Sequence, residues 1–192
     1  MVTTVHSTKL TKETAAIQLA FPPCEPGIGH VITGPASKNL IAGVVIEPVT
    51  TWPDDRGLFF EVARAGQGII AGFSPETLQV SATFTYPGSI KAFHYHLRQS
   101  DCWVPTLGML QVALVDLRSG SPTLGAKNTL YVGVHRPWQI LIPPGIAHGY
   151  KVIGDTLGGV IYVTDRFYDP NDEGRLRHDD TRLDYDWTIQ NK

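Results

Sequence analysis

The sequence predicts an all-β protein, a sandwich or barrel of short strands. Segments that alternate apolar and polar residues, or are rich in β-branched types, recur about every ten to fifteen residues. Between them lie turn residues, drawn from 19 glycines and 14 prolines. Helical periodicity is weak, so helices are expected only as short segments.

Taken in order, residues 1–43 are expected to form an N-terminal arm with the first strand or strands, and 44–192 one barrel domain. Residues 9–18 offer one short helix, and Ser74 followed by Pro75 a helical turn near 74–77. The strand candidates are LIAGVVIEPV (40–49), LQVSATFTY (78–86), SIKAFHYH (89–96), MLQVALVDLR (109–118), NTLYVGV (128–134), WQILIP (138–143) and GGVIYVTD (158–165). Pro87-Gly88, RSGSPTLG (118–125), HRP (135–137) and PPG (143–145) separate them.

Bulk properties remove several function classes. With 42% apolar and 18% charged residues the chain is expected to fold. A net charge of −2 asks for neither nucleic acid nor an anionic membrane. No apolar run of spanning length and no secretory signal is visible, and Cys24 and Cys102 make no disulfide framework, so the cytoplasm is the expected compartment.

His94 and His96 stand two apart in a strand candidate and therefore share a face. Two adjacent imidazoles suit either a metal ion or proton transfer. His6, His30 and His135 read as surface or hydrogen-bonded side chains, and the four tryptophans as core or interface. His178 reads as a loop residue and DPNDEG (169–174) as a solvated turn.

Gly88, His94, His96, Asp101 and Gly108, followed by Pro143, Gly145 and His148, are spaced like the two motifs of the cupin superfamily, a jelly-roll barrel. A closer resemblance is carried by DDRGLFFE (54–61), HY (94–95), VDLR (115–118), SPTLG (121–125), PPGIAHGY (143–150), IYVTDRFYDP (161–170) and HDD (178–180). These resemble, in order, the dTDP-4-dehydrorhamnose 3,5-epimerase family, and the resemblance covers residues 44–187.

The resemblance implies epimerisation, at C3 and/or C5, of a nucleotide-linked 4-keto-6-deoxy sugar. A base removes a hydrogen α to the ketone and an acid reprotonates the opposite face. It implies His94 as base, Asp180 as its carboxylate partner and Tyr162 as acid. Arg56, Glu61, Gln79, Lys91 and His148 would contact substrate, no cofactor would be needed, and the chain would form a homodimer. Three departures stand out: Lys91 replaces an arginine, Ser81 an asparagine, and Asp101 falls where the family has an enolate-stabilising lysine. His96 with Asp101 also recreates a metal-cupin set. The alternative reading is therefore a metal-dependent isomerase or oxygenase, with His94, His96, Asp101 and His148 holding Zn, Fe, Mn or Ni. A third is a non-catalytic nucleotide-sugar-binding cupin.

Overall fold

Alternating inward and outward side chains organise thirteen strands in the computed structural model, which describes residues 17–190. They are β1 (His30–Val31), β2 (Val45–Pro48), β3 (Thr51–Asp54), β4 (Gly57–Phe60), β5 (Gln79–Thr85), β6 (Ile90–His96), β7 (Asp101–Leu107), β8 (Met109–Asp116), β9 (Lys127–Gly133), β10 (Trp138–Ile142), β11 (Ile146–Ile153), β12 (Gly158–Thr164) and β13 (Glu173–Arg175). The first sheet runs β1-β9-β8-β11-β6-β13 and the second β2-β10-β7-β12-β5. β3 and β4 form a separate two-stranded hairpin. Apart from the parallel β1–β9 pair, the pairings are antiparallel.

The two sheets pack face to face. Leu110, Val112 and Leu114 of β8, with Leu130, Val132, Ile146 and Val152, meet Trp103, Trp138, Ile140, Ile142 and Val160 of the other sheet. Such an interior side chain contributes about 1.5–3 kcal/mol by burial. Truncating fully buried Leu114 to alanine costs about 2–5 kcal/mol. The alternate residues of β8, Ala113 and Val115, join Leu117 and Phe93 under Leu183, Tyr185 and Trp187, so the C-terminal tail covers the first sheet's outer face. Ile70 and Phe73 cover Cys102, Val104 and Val163 on the outer face of the second.

Among the described residues there is no α-helix, only a 3-10 turn at Gly68–Ile70. The turn expected at 74–77 is present, with the amides of Thr77 and Leu78 both donating to Ser74 O. Most of the helix expected at 9–18 lies outside the described residues. β7 is absent from the sequence candidates, and it carries a proline, Pro105. It is accommodated beside a register shift in the β7–β12 pairing.

Candidate functional site

The interior between the sheets opens into a pocket of about 330 Å³. β6 brings His94 and His96, β11 brings His148, and β7 brings Asp101 and Trp103. From β12 comes Tyr162, and from β5 come Gln79, Ser81 and Thr83. His94 and Tyr162 thus reach the pocket from opposite sheets. Plain alternation would turn Lys91 away from His94. The β6–β11 register slips, however, pairing His148 with His94 but Tyr150 with Lys91, and this irregularity brings Lys91 to the pocket. Gly149 permits the close approach, since a Cβ there would stand 2.3 Å from the Ala92 Cβ. Gly145, at φ +80°, turns the chain into β11, where a Cβ would lie 2.4 Å from Arg118 Cγ.

His94 Nδ1 lies 2.8 Å from Glu173 Oε1. Burial raises the Glu173 carboxyl, but hydrogen bonds from Arg175 and His94 outweigh it and hold the group below the usual carboxylate range. An ionised carboxylate only accepts, so Nδ1 carries a proton, and in the neutral ring the lone pair is on Nε2. Asp101 is the reverse case. It is buried, with Gln99 Nε2 donating to Oδ1 at 2.7 Å and Trp103 Nε1 to Oδ2 at 3.2 Å. Burial pushes its carboxyl up. His148 donates from Nδ1 to Ile146 O at 2.9 Å, and burial lowers its pKa to about 3, so it is a neutral imidazole at pH 7. The Tyr162 phenol is pushed up by burial and by neighbouring Tyr150, and it stays protonated. Trp103 stacks edge-on against His148, Tyr150 and Tyr162. The expected core tryptophan is therefore also the pocket's floor.

Of the residues singled out in the sequence, His94, Tyr162, Gln79, Lys91, His148, His96 and Asp101 converge here. Three do not. Asp180 is bound instead by the Arg182 guanidinium and backbone amide, in a turn beyond the sheet. The carboxylate on His94 is Glu173, placed there because β13 pairs with β6 in the register Glu173 to His96 and Arg175 to His94. The patch read as a solvated turn thus supplies the pocket's acid, and its buried Asp172 also accepts the amides of Leu97 and Gln99. Arg56 pairs with Asp54 at the exposed hairpin. Glu61 pairs with Arg64 and lines a second cleft, beside Glu47 and Trp52. His94 also falls outside the expected four-residue metal set, since its ring nitrogens do not converge with those of the other three. The group whose ligand atoms converge is His96, Asp101 and His148.

A pocket between two sheets with a carboxylate-backed imidazole on one wall and a buried phenol on the other holds the kinds of group that proton transfer needs. The family profile described as dTDP-4-dehydrorhamnose 3,5-epimerase matches residues 38–192, and the chain belongs to this family of carbohydrate epimerases. It is 40% identical over 153 residues to the spore coat polysaccharide biosynthesis protein SpsL of Bacillus subtilis, covering 79% of this chain and 99% of that one. It is 31% identical over 159 residues to the dTDP-4-dehydrorhamnose 3,5-epimerase of Pseudomonas aeruginosa, covering 81% and 87%. Among solved structures, NovW, a 4-keto-6-deoxy sugar epimerase from Streptomyces spheroides, superposes with a TM-score of 0.68 at 25% identity, covering 78% and 76%. A dTDP sugar isomerase from Desulfovibrio desulfuricans shares the fold, with a TM-score of 0.71 at 22% identity over 77% and 92%.

Proposed function

We propose that the chain epimerises a nucleotide-linked 4-keto-6-deoxy sugar, with dTDP as carrier, at C3 and/or C5. The carrying observation is that His94 and Tyr162 line one pocket from opposite sheets, with Glu173 behind the imidazole. His94 Nε2 removes the hydrogen α to the C4 ketone. Glu173 holds the ring in the competent tautomer and stabilises the imidazolium. The enolate collapses as Tyr162, kept protonated by burial, delivers a proton to the opposite face. The ketone already acidifies its neighbours, so this relay uses no cofactor. Gln79 and Lys91 hold the nucleotide diphosphate, Lys91 as a point charge.

The reading includes a homodimer. The β3–β4 hairpin pairs with neither sheet and exposes Trp52, Leu58 and Phe59. Covering that face with a second copy would bury these three side chains. Among the described residues no helix is long and apolar enough to cross a membrane. The two free cysteines agree with action in the cytoplasm.

The test is solvent exchange. In D2O the enzyme is expected to place deuterium at C3 or C5 of a dTDP-4-keto-6-deoxy sugar, read by NMR. His94→Ala is expected to slow exchange by about 10²–10⁴-fold, the usual contribution of a general base. Bound sugar that gains no deuterium with wild-type enzyme would make the protein a binding module.

A further inference from the structure

The proton relay makes no use of three polar side chains on the pocket floor, those of His96, Asp101 and His148. All three are buried, on β6, β7 and β11, and their candidate ligand atoms lie within 4.8 Å of one another. Asp101 Oδ2 stands 3.8 Å from His96 Nε2 and 3.6 Å from His148 Nε2. Both separations are too long for hydrogen bonds.

The proton inventory says what these atoms lack. His148 gives its Nδ1 hydrogen to Ile146 O, so its Nε2 presents a lone pair toward Asp101. The Gln99 amide nitrogen, which donates to Asp101 Oδ1, also lies 3.3 Å from His96 Nε2 and makes that nitrogen an acceptor. Two imidazole lone pairs and a carboxylate oxygen therefore face one another. The donors to Asp101 are neutral, Gln99 and Trp103. Lys91 is the one lysine or arginine of the described lining, and its Nζ donates to Thr83 Oγ1 at 2.7 Å.

From this juxtaposition we infer that His96, Asp101 and His148 bind one divalent transition-metal ion, as a two-histidine, one-carboxylate face open to the pocket. Donors about 2.0–2.1 Å from such an ion lie roughly 3.0–3.4 Å apart, so loading draws Asp101 Oδ2 several tenths of an ångström closer to each imidazole and the two imidazoles toward each other. The Ile146 carbonyl already fixes the tautomer of His148, as outer partners of metal-bound histidines do. The ion would leave one net positive charge on a floor whose sequence has an aspartate in place of a lysine. Because His94 lies outside the triad, its Nε2 remains free as base, and ion and relay coexist. The inference does not rest on the epimerase reading, since ion binding is measured without any sugar.

The test uses tag-free protein stripped with chelator, then given Co²⁺ or Zn²⁺ alone. Expected is about one ion per chain by elemental analysis, with Co²⁺ d–d absorption and a raised melting temperature. His96→Gln and Asp101→Asn should each weaken binding at least about 100-fold, near the upper end of effects seen for metal-site partners. His94→Ala should retain stoichiometric binding. Melting of each metal-free variant establishes that it is folded. The inference is overturned by wild-type protein that takes up no stoichiometric ion, by binding that survives both His96→Gln and Asp101→Asn, or by loss of binding in folded His94→Ala. Ion binding without deuterium exchange would sink the epimerase reading alone, and exchange without ion binding would sink this one alone.

Discussion

Of the three aspartates buried among the described residues, Asp116 at the end of β8 and Asp101 at the start of β7 are furnished in opposite ways. Asp116 takes the backbone amide, Nε and Nη2 of Arg118, together with the hydroxyls of Ser121 and Thr123. Burial raises its carboxyl, but these donors more than offset it, and the group sits below its ordinary range. Asp101 has two neutral donors and two imidazoles beyond hydrogen-bond reach, and its carboxyl sits above its range. Burial alone therefore does not separate structure from chemistry. What separates them is whether the charge already has its cation. Asp116 folds the 116–125 loop over the barrel's end, and Asp101 waits for something brought from outside the chain.

The sharpest break of this contrast comes from removing the cation. Arg118→Ala leaves Asp116 buried and unpaired, which is expected to cost about 3–5 kcal/mol. At roughly 2–4 °C per kcal/mol for a chain of this size, thermal unfolding should fall by about 6–20 °C. Asp101→Asn removes a charge with no protein cation but turns one of two accepting oxygens into an NH2 facing Gln99 or Trp103, so stability is expected to fall by about 1–3 kcal/mol, less than for Arg118→Ala. Its turnover should fall about 10²-fold, the size typical of losing one electrostatic contributor in a closed site. Calorimetry and deuterium exchange on both variants check this. Equal stability losses would make Asp101 a structural group and end the comparison.

The sequence made the two aspartates unequally legible. VDLR and SPTLG were visible as motifs, but the pairing of Asp116 with Ser121 and Thr123 needed the loop geometry. Asp101 was visible through its spacing from His94 and His96, which resembles the first cupin motif. Glu173 was not. Its strand is three residues long, sits in an acidic stretch, and meets His94 only through the long-range β13–β6 register. Asp180 attracted the role because HDD resembles a family motif, yet Arg182 two residues on satisfies it locally. Lys91 shows the same limit: alternation points it outward, and only the register slip against β11 turns it in. Local pattern thus located the strands and the inward histidines, while non-local pairing chose which carboxylate and which cation join them.

The lowered carboxyl of Asp116 carries its own pH signature. A group whose folded pKa is depressed contributes stability above its unfolded pKa, near 3.9, and loses it as pH falls through the folded value. The stability advantage of wild type over Asp116→Asn should therefore be constant from about pH 5 to 8 and shrink below about pH 4. Urea midpoints across that range measure it. An advantage that persisted unchanged to pH 2 would mean that the hydroxyls and Arg118 hold the loop without the charge.

The smallest expected effect bears on where the pocket finds its positive charge. Lys91 reaches the lining but is itself exposed, with Thr83 as its hydrogen-bond partner. If it serves only the diphosphate, it binds ground state and transition state alike, and Lys91→Ala should raise KM about five- to tenfold with kcat unchanged. That is roughly 1 kcal/mol, in keeping with one partly screened charge. If Lys91 instead takes over the enolate-stabilising role of the family lysine that Asp101 replaces, kcat falls and KM holds. The two outcomes point to different sources of charge. A pure KM effect leaves the developing enolate without a protein cation among the described lining residues and strengthens the case for an ion on the Asp101 floor. A pure kcat effect would make Lys91 the cation and leave Asp101 a buried acid beside two neutral imidazoles.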